Sequence, residues 1–208
     1  MSLLYIFDMD DVLYDFDWFA RMTALSRVTG LPQEELRERW WNQGGEAAAE
    51  AGEYLSPEDY LLAFNEAIGF VLSEDDWLKA RGGAMTPLPD SIAAVKRASE
   101  LGQVTLLTNN GPLTSRHIRT LAPELVPVFG DHLFTSSDYG ARKPDPRVFK
   151  AVLDRYGVAA DDAFFADDLP ENVAGAESCG ITGHLFTEPR GLLEAVEAFA
   201  AARSVDGP

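Results

Sequence analysis

Asp8, Asp10 and Asp168 are the residues whose types and spacing point most directly to chemistry in this chain. Asp8-Met9-Asp10-Asp11 follows the apolar run 3–7, and Asp167-Asp168 follows the apolar run 163–166. Two further runs also end in polar groups. Residues 104–107 lead into Thr108-Asn109-Asn110-Gly111, and 132–135 lead through Ser136, Ser137 and Asp138 to Arg142-Lys143-Pro144. Taken singly, each has an ordinary reading. Aspartates start many turns, Thr108 and Asn109 suit a cap for a helix from Leu113, Asp167 and Asp168 suit a cap for the next helix, and Lys143 reads as a solvated loop charge. As a set they ask for more, because clustered carboxylates repel unless a cation or a proton intervenes. Carboxylate oxygens with carbonyls and water suit octahedral Mg2+. His117, His132 and His184 lie scattered, and no histidine or cysteine cluster points to zinc.

The elements that must position these groups follow from the hydrophobic pattern. The runs 3–7, 104–107, 132–135, 163–166 and 181–185 read as strands, and most lack clean alternation, as strands covered on both faces do. Amphipathic segments 91–101, 146–156, 171–179 and 191–202 lie among them. Strands alternating with helices predict an α/β fold, a parallel sheet in three layers with helices on both sides. In such a sheet the ligand site lies beyond the carboxyl ends of the strands, which is where the four polar clusters fall.

Residues 15–82 break that rhythm. They show no convincing strand and read as helices near 18–29, 32–41, 57–69 and 74–81, with Pro32 and Pro57 in first turns and Ser56 and Ser73 as caps. The expected organisation is therefore a core from 1–14 and 83–208 with a helical cap domain, 15–82, inserted after the first strand. The segment from Gly82 to Pro89 reads as the return linker, its glycines a hinge.

Composition narrows the class. Asp and Glu number 34 against 17 Lys and Arg, a formal charge of −17, so no basic face for nucleic acid is written here. The same charge repels anionic membranes, and no run approaches the length of a membrane span. It would repel an anionic substrate as well, unless a metal and local cations reverse the field at the site. The lone Cys179 fits a reducing compartment. The start of the chain reads as a strand rather than a signal peptide, so a cytoplasmic protein is expected, and a monomer, since cap and core can form the site within one chain.

The motifs taken in order resemble the haloacid dehalogenase-like hydrolase superfamily over nearly the full length. Ile6-Phe7-Asp8-Met9-Asp10-Asp11-Val12-Leu13 is similar to its first motif, and Leu106-Leu107-Thr108-Asn109-Asn110 to its second. Lys143-Pro144-Asp145-Pro146-Arg147-Val148-Phe149 resembles the third, and Phe164-Phe165-Ala166-Asp167-Asp168 the fourth. The helical insert is similar to the family's first cap class. Two positions depart from the common pattern: Asp11 stands where glycine is frequent, and Asn172 where many phosphatases carry aspartate.

The resemblance implies a Mg2+-dependent phosphatase acting on a small phosphorylated metabolite, a sugar phosphate or a nucleotide. Asp8 would be the covalent nucleophile. Asp10 would be the general acid and base, with its backbone carbonyl reaching Mg2+. Asp8 and Asp168 would be the principal carboxylate ligands and Asp167 an outer or partial one. Thr108 and the Asn109 N–H would hold a phosphoryl oxygen, beside Asn110, and Lys143 would neutralise both Asp8 and the phosphoryl group. Family dehalogenases lack the second aspartate, so Asp10 favours phosphoryl transfer. A phosphomutase would need a cap cation for a distal phosphate, for which Arg21 is the candidate, although a surface role is the simpler expectation for it. At least one of Trp40 and Trp41 is expected in the core of the cap. The other, Trp41 with Asn42 or Gln43, would face a sugar or other polyol.

Overall fold

A computed structural model of the chain describes residues 3–204, so the outermost residues of both expected core segments lie outside the description. Five parallel strands form the central sheet. They are β1 (Leu4–Phe7), β4 (Gln103–Thr108), β5 (Leu133–Thr135), β6 (Ala163–Asp167) and β7 (Thr182–Leu185), in the order β5-β4-β1-β6-β7. After β1 the chain builds outward through β4 and β5, then returns to the other side of β1 for β6 and β7. The direction of winding thus reverses beside β1, and the crevice at such a reversal is where α/β sheets bind ligands.

Strand parity sorts side chains into two layers, because successive residues point to opposite faces. Tyr5, Phe7, Leu106 and Phe164 pack against α6 (Pro89–Leu101), α8 (Val126–Phe129) and α11 (Pro189–Ser204), through Val95, Phe129, Val196 and Phe199 among others. Leu4, Ile6, Leu107 and Phe165 face α9 (Pro146–Tyr156) and α10 (Pro170–Glu177), through Val148, Phe149, Val152 and Ala176. The three-layer expectation is met, and the absence of polar alternation in β1 reflects burial on both faces.

The cap has its own core. It comprises α1 (Trp18–Thr29), α2 (Gln33–Leu36), α3 (Gly45–Glu50), α4 (Pro57–Ile68) and α5 (Glu74–Gly82). Met22, Leu25, Leu36, Trp40, Phe64, Ile68 and Trp77 interlock in it, and the cluster continues onto Leu113 and Leu121 of α7 (Pro112–Leu121), a core helix. Ser56 and Ser73 cap α4 and α5 by accepting the N–H of Asp59 and Asp76. α2 widens into a π-helical turn over Arg37–Trp41. The two tryptophans there part company: Trp40 is buried among Tyr60 and Phe64, while Trp41 is half-buried and meets Trp18 edge to face at 5.1 Å.

The neck departs from the sequence reading. Residues 15–82 were expected to hold no strand and 82–89 to be a linker. Instead β2 (Tyr14–Phe16) and β3 (Met85–Pro87) pair antiparallel, Tyr14 with Pro87 and Phe16 with Met85. The ribbon ties the way into the cap to the way out. Gly111 marks how closely the cap then sits on the core, since a Cβ there would meet the Ala49 Cβ at 2.9 Å. Among the described residues no helix is long and apolar enough to cross a membrane.

Candidate active site

β1 ends at the reversal point, and the next residue is Asp8. Its N–H continues the parallel pairing by donating to the Ala166 carbonyl at 3.0 Å, so the carboxylate is aimed from a fixed backbone. Asp8 Oδ1 accepts the Met9 N–H at 2.8 Å and lies 2.9 Å from Lys143 Nζ. The chain then turns tightly. Asp11 takes a left-handed conformation, φ 60°, one that glycine adopts without the steric cost of a Cβ.

Lys143 is wholly buried, between Asp8 and Asp167, donating to Asp167 Oδ2 at 2.6 Å. Its backbone is clamped by the Asn109 side chain, which accepts the Lys143 N–H and donates to the Lys143 carbonyl, both at 2.9 Å. Asn109 lines the cavity described below, yet its side-chain bonds go to Lys143. Burial works against the Lys143 ammonium, but Asp8 and Asp167 outweigh it and hold its pKa above the usual lysine value.

The second acidic pair divides in role. Asp167 is fully buried, with both oxygens engaged by Lys143, Asn172 and the Leu169 N–H. Asn172, the departure from the common phosphatase pattern, thus supports Asp167. Asp168 is more open, and burial with the charge of Asp167 raises its carboxyl to about 6. Burial also drives the Asp8 carboxyl well above its usual value, against the pull of Lys143, with Asp167 and Asp10 pushing the same way.

One oxygen each from Asp8, Asp167 and Asp168 lies within 4.8 Å of the others. Three carboxylates here face one ammonium, leaving two negative charges to be matched. An all-oxygen donor set with that imbalance fits a hard divalent cation. The Asp10 carboxylate stands apart from this group.

Asp10 is held elsewhere. Arg81, in the last turn of α5, donates from Nη2 to Asp10 Oδ1 at 2.8 Å and to Oδ2 at 2.7 Å. Asn110 Nδ2 reaches Asp10 Oδ2 at 3.3 Å and Thr108 Oγ1 at 2.9 Å, linking the ends of β1 and β4. Thr108 is buried and accepts that bond, so its hydroxyl proton remains to be donated.

A cavity of about 310 Å³ lies between cap and core, with Asp10, Asn109 and Asn110 on one wall. Phe16, Trp18, Arg21, Trp41, Glu46, Ala47, Glu50 and Arg142 complete its lining. Arg21 was expected at the surface. It is buried instead, its Cζ 5.6–6.0 Å from the rings of Phe16, Trp18, Trp41 and Trp77, with Nη2 4.0 Å from Glu46 Oε1. Glu46 also accepts from Trp40 Nε1 and the Tyr60 hydroxyl. Trp41 reaches the cavity, whereas Asn42 and Gln43 donate outward to Glu38 and do not line it.

Sequence reasoning missed Arg81, Glu50 and Arg142. Arg142 Nε stands 2.9 Å from Glu50 Oε2, an ion pair whose two atoms are buried and out of line for a hydrogen bond. Only the position of Arg142 beside Lys143 offered a signal. Nothing in sequence marks a cap residue that folds back onto the site.

Burial raises the Glu50 carboxyl from 4.5 to about 7, Glu46 adding to the effect and Arg142 opposing it. The unfolded chain loses this proton at lower pH than the folded one, so stability is lost as pH rises from about 4.5 to about 7. At about 1.4 kcal/mol per unit, Glu50→Gln is expected to stabilise the protein by roughly 1–3 kcal/mol at pH 8 and by little at pH 4. Urea melts at the two pH values check this, and equal effects at both would contradict it.

Comparison with known proteins agrees with this architecture. The family model for haloacid dehalogenase-like hydrolases matches residues 3–180. Phosphatase MT3486 of Mycobacterium tuberculosis is 32% identical over 189 residues, covering 86% of this chain and 85% of its own. The glyceraldehyde 3-phosphate phosphatase of Methanothermobacter thermautotrophicus is 25% identical, covering 86% and 83%. A HAD family enzyme of Bacteroides thetaiotaomicron, solved with magnesium and inorganic phosphate, shares the fold with a TM-score of 0.76 at 20% identity, over 90% of this chain and 95% of that one. The chain belongs to the haloacid dehalogenase-like hydrolases.

Proposed function

We propose that the protein is a Mg2+-dependent phosphatase that hydrolyses the monophosphate ester of a small, hydroxylated molecule through a phosphorylated Asp8. The observation that carries this reading is the cluster of Asp8, Lys143, Asp167 and Asp168 at the reversal point, with Asp10, two residues on from Asp8, at the cavity wall.

Asp8 Oδ1 is occupied by Lys143 and the Met9 N–H, so Oδ2 is the oxygen that attacks phosphorus. The bond from phosphorus to the leaving oxygen breaks, and Asp10 donates a proton to that oxygen. Water, giving its proton back to Asp10, then attacks the aspartyl-phosphate and frees Asp8. Lys143 and the Thr108 hydroxyl stabilise charge on the phosphoryl oxygens. Asp8 and Asp168, with the Asp10 carbonyl, would hold Mg2+, which would supply charge neutralisation at the phosphoryl group.

The cavity bears on the leaving group. Its two guanidiniums, Arg21 and Arg142, each face a carboxylate, Glu46 and Glu50. A second phosphate would find each of these cations already opposed, which disfavours bisphosphates and the mutase reading. Trp18 and Trp41 share the cavity lining with Glu46, Glu50, Asn109 and Asn110, a mix of ring surfaces and polar groups that suits hydroxyl groups on an apolar body. We therefore favour a sugar or polyol phosphate over a nucleotide. Phosphate release from a panel of sugar, polyol and nucleoside monophosphates and bisphosphates tests this. Hydroxylated monophosphates are expected to lead the bisphosphates in kcat/KM by about 10-fold or more, and a bisphosphate or nucleotide as best substrate would overturn it. Activity is expected to vanish in chelator and return with Mg2+. Asp168→Asn is expected to weaken Mg2+ binding about 10-fold or more by titration calorimetry, and undiminished affinity would contradict its role as a ligand.

A further inference from the structure

We infer that Arg81 is a positioning residue that couples the seating of the cap to the orientation of Asp10. This rests on the proposed acid–base role of Asp10. Arg81 lies in the last turn of α5, at the cap side of the neck, and its side chain is among the largest that are fully buried. Its Nη2 holds both oxygens of Asp10, at 2.8 and 2.7 Å. Its Cζ rests 4.1 Å from the centroid of the Phe16 ring, on the neck strand β2. Asp10 therefore has one hold on it from the cap and another from the core, Asn110 at 3.3 Å, while its remaining face lines the cavity.

A cap–core strut would explain a salt bridge, but not this one. Arg81 Nε and Nη1 are buried with no hydrogen-bond partner. Leaving buried donors unpaired is costly, and burying a charge for the sake of a tether is a poor source of stability. What the arrangement does achieve is geometric. The guanidinium plane is fixed by Phe16, and the fixed guanidinium in turn fixes one orientation of the carboxylate. Because Arg81 belongs to the cap, Asp10 takes that orientation only when α5 is seated. Water attack on the aspartyl-phosphate forms one O–P bond, breaks the Asp8–P bond and moves one proton to Asp10, so it depends on that orientation most directly. Formation of the intermediate from an activated ester needs little help from Asp10, because p-nitrophenolate leaves unaided.

Rapid-mixing kinetics of the Mg2+-loaded full chain with p-nitrophenyl phosphate separates the two steps. Asp10→Asn is the reference and is expected to release about one equivalent of p-nitrophenolate and then stall. Arg81→Met is expected to keep the burst rate within about 3-fold of the parent and to slow the following phase by about 10-fold or more, with phosphorylated protein accumulating. Burst and second phase falling in parallel, or neither changing, would overturn the inference. If Asp10→Asn itself fails to stall, the reading of Asp10 falls; if it stalls and Arg81→Met does not, only the role of Arg81 falls. Should Arg81→Met not fold, Arg81→Lys carries the test. A lysine keeps the charge but cannot stack as a plane on Phe16, so its donor is no longer held in one orientation; a slowed second phase supports the inference and an unchanged one overturns it.

Discussion

Asp8→Asn is expected to remove phosphomonoester hydrolysis altogether, a loss of roughly 10⁴-fold or more, as removal of a covalent nucleophile does. An amide neither attacks phosphorus nor carries the negative charge that a cation and Lys143 pair with. The protein should remain folded, because Asp8 is a buried carboxylate whose ionised form is opposed by burial and by Asp167 and Asp10, so neutralising it relieves repulsion. Phosphate release and a urea melt on the same preparation check both halves. Turnover within about tenfold of the parent would remove Asp8 from the chemistry.

Lys143→Met is expected to have the largest combined effect on stability and activity. Lys143 is wholly buried and pairs with Asp8 at 2.9 Å and Asp167 at 2.6 Å. Without it two buried carboxylates lose their counter-charge, and breaking such a pair from one side costs about 3–5 kcal/mol. Loss of one charge-stabilising donor should lower kcat by about 10²–10³-fold as well. Mg2+ should restore part of the lost stability, since it neutralises the same carboxylates, whereas it adds less to the parent. Melts with chelator and with Mg2+ read this directly. A variant as stable as the parent in chelator would show that Lys143 does not balance the cluster.

What was legible from sequence shares one physical property: it is local to a strand end. Asp8, Thr108 and Asp168 each follow an apolar run within a residue or two, and Lys143 follows the third run by a short loop. The sheet order then brings these ends together without further information. The cap contributed what could not be read. Arg81 meets Asp10 across 71 residues and Glu50 of the cap meets Arg142 of the core, contacts that depend on how α3 and α5 seat on the core. β2 and β3 are three residues each, too short for a period to register, and lie outside the five-stranded sheet. Arg21 looked like a surface charge because the four rings that enclose it come from four separate elements, β2, α1, the π-helical turn and α5. Asn42 and Gln43 sit beside Trp41 in sequence, but the turn that follows directs them to Glu38 and solvent.

The covalent role proposed for Asp8 is tested most directly by trapping the intermediate. Asp10→Asn, mixed with p-nitrophenyl phosphate and Mg2+ and quenched in acid, should gain the mass of one phosphoryl group, and peptide mapping should place it on Asp8. Asp8→Asn treated alike should gain none. A phosphoryl group on any other residue, or one that Asp8→Asn still acquires, would contradict the account.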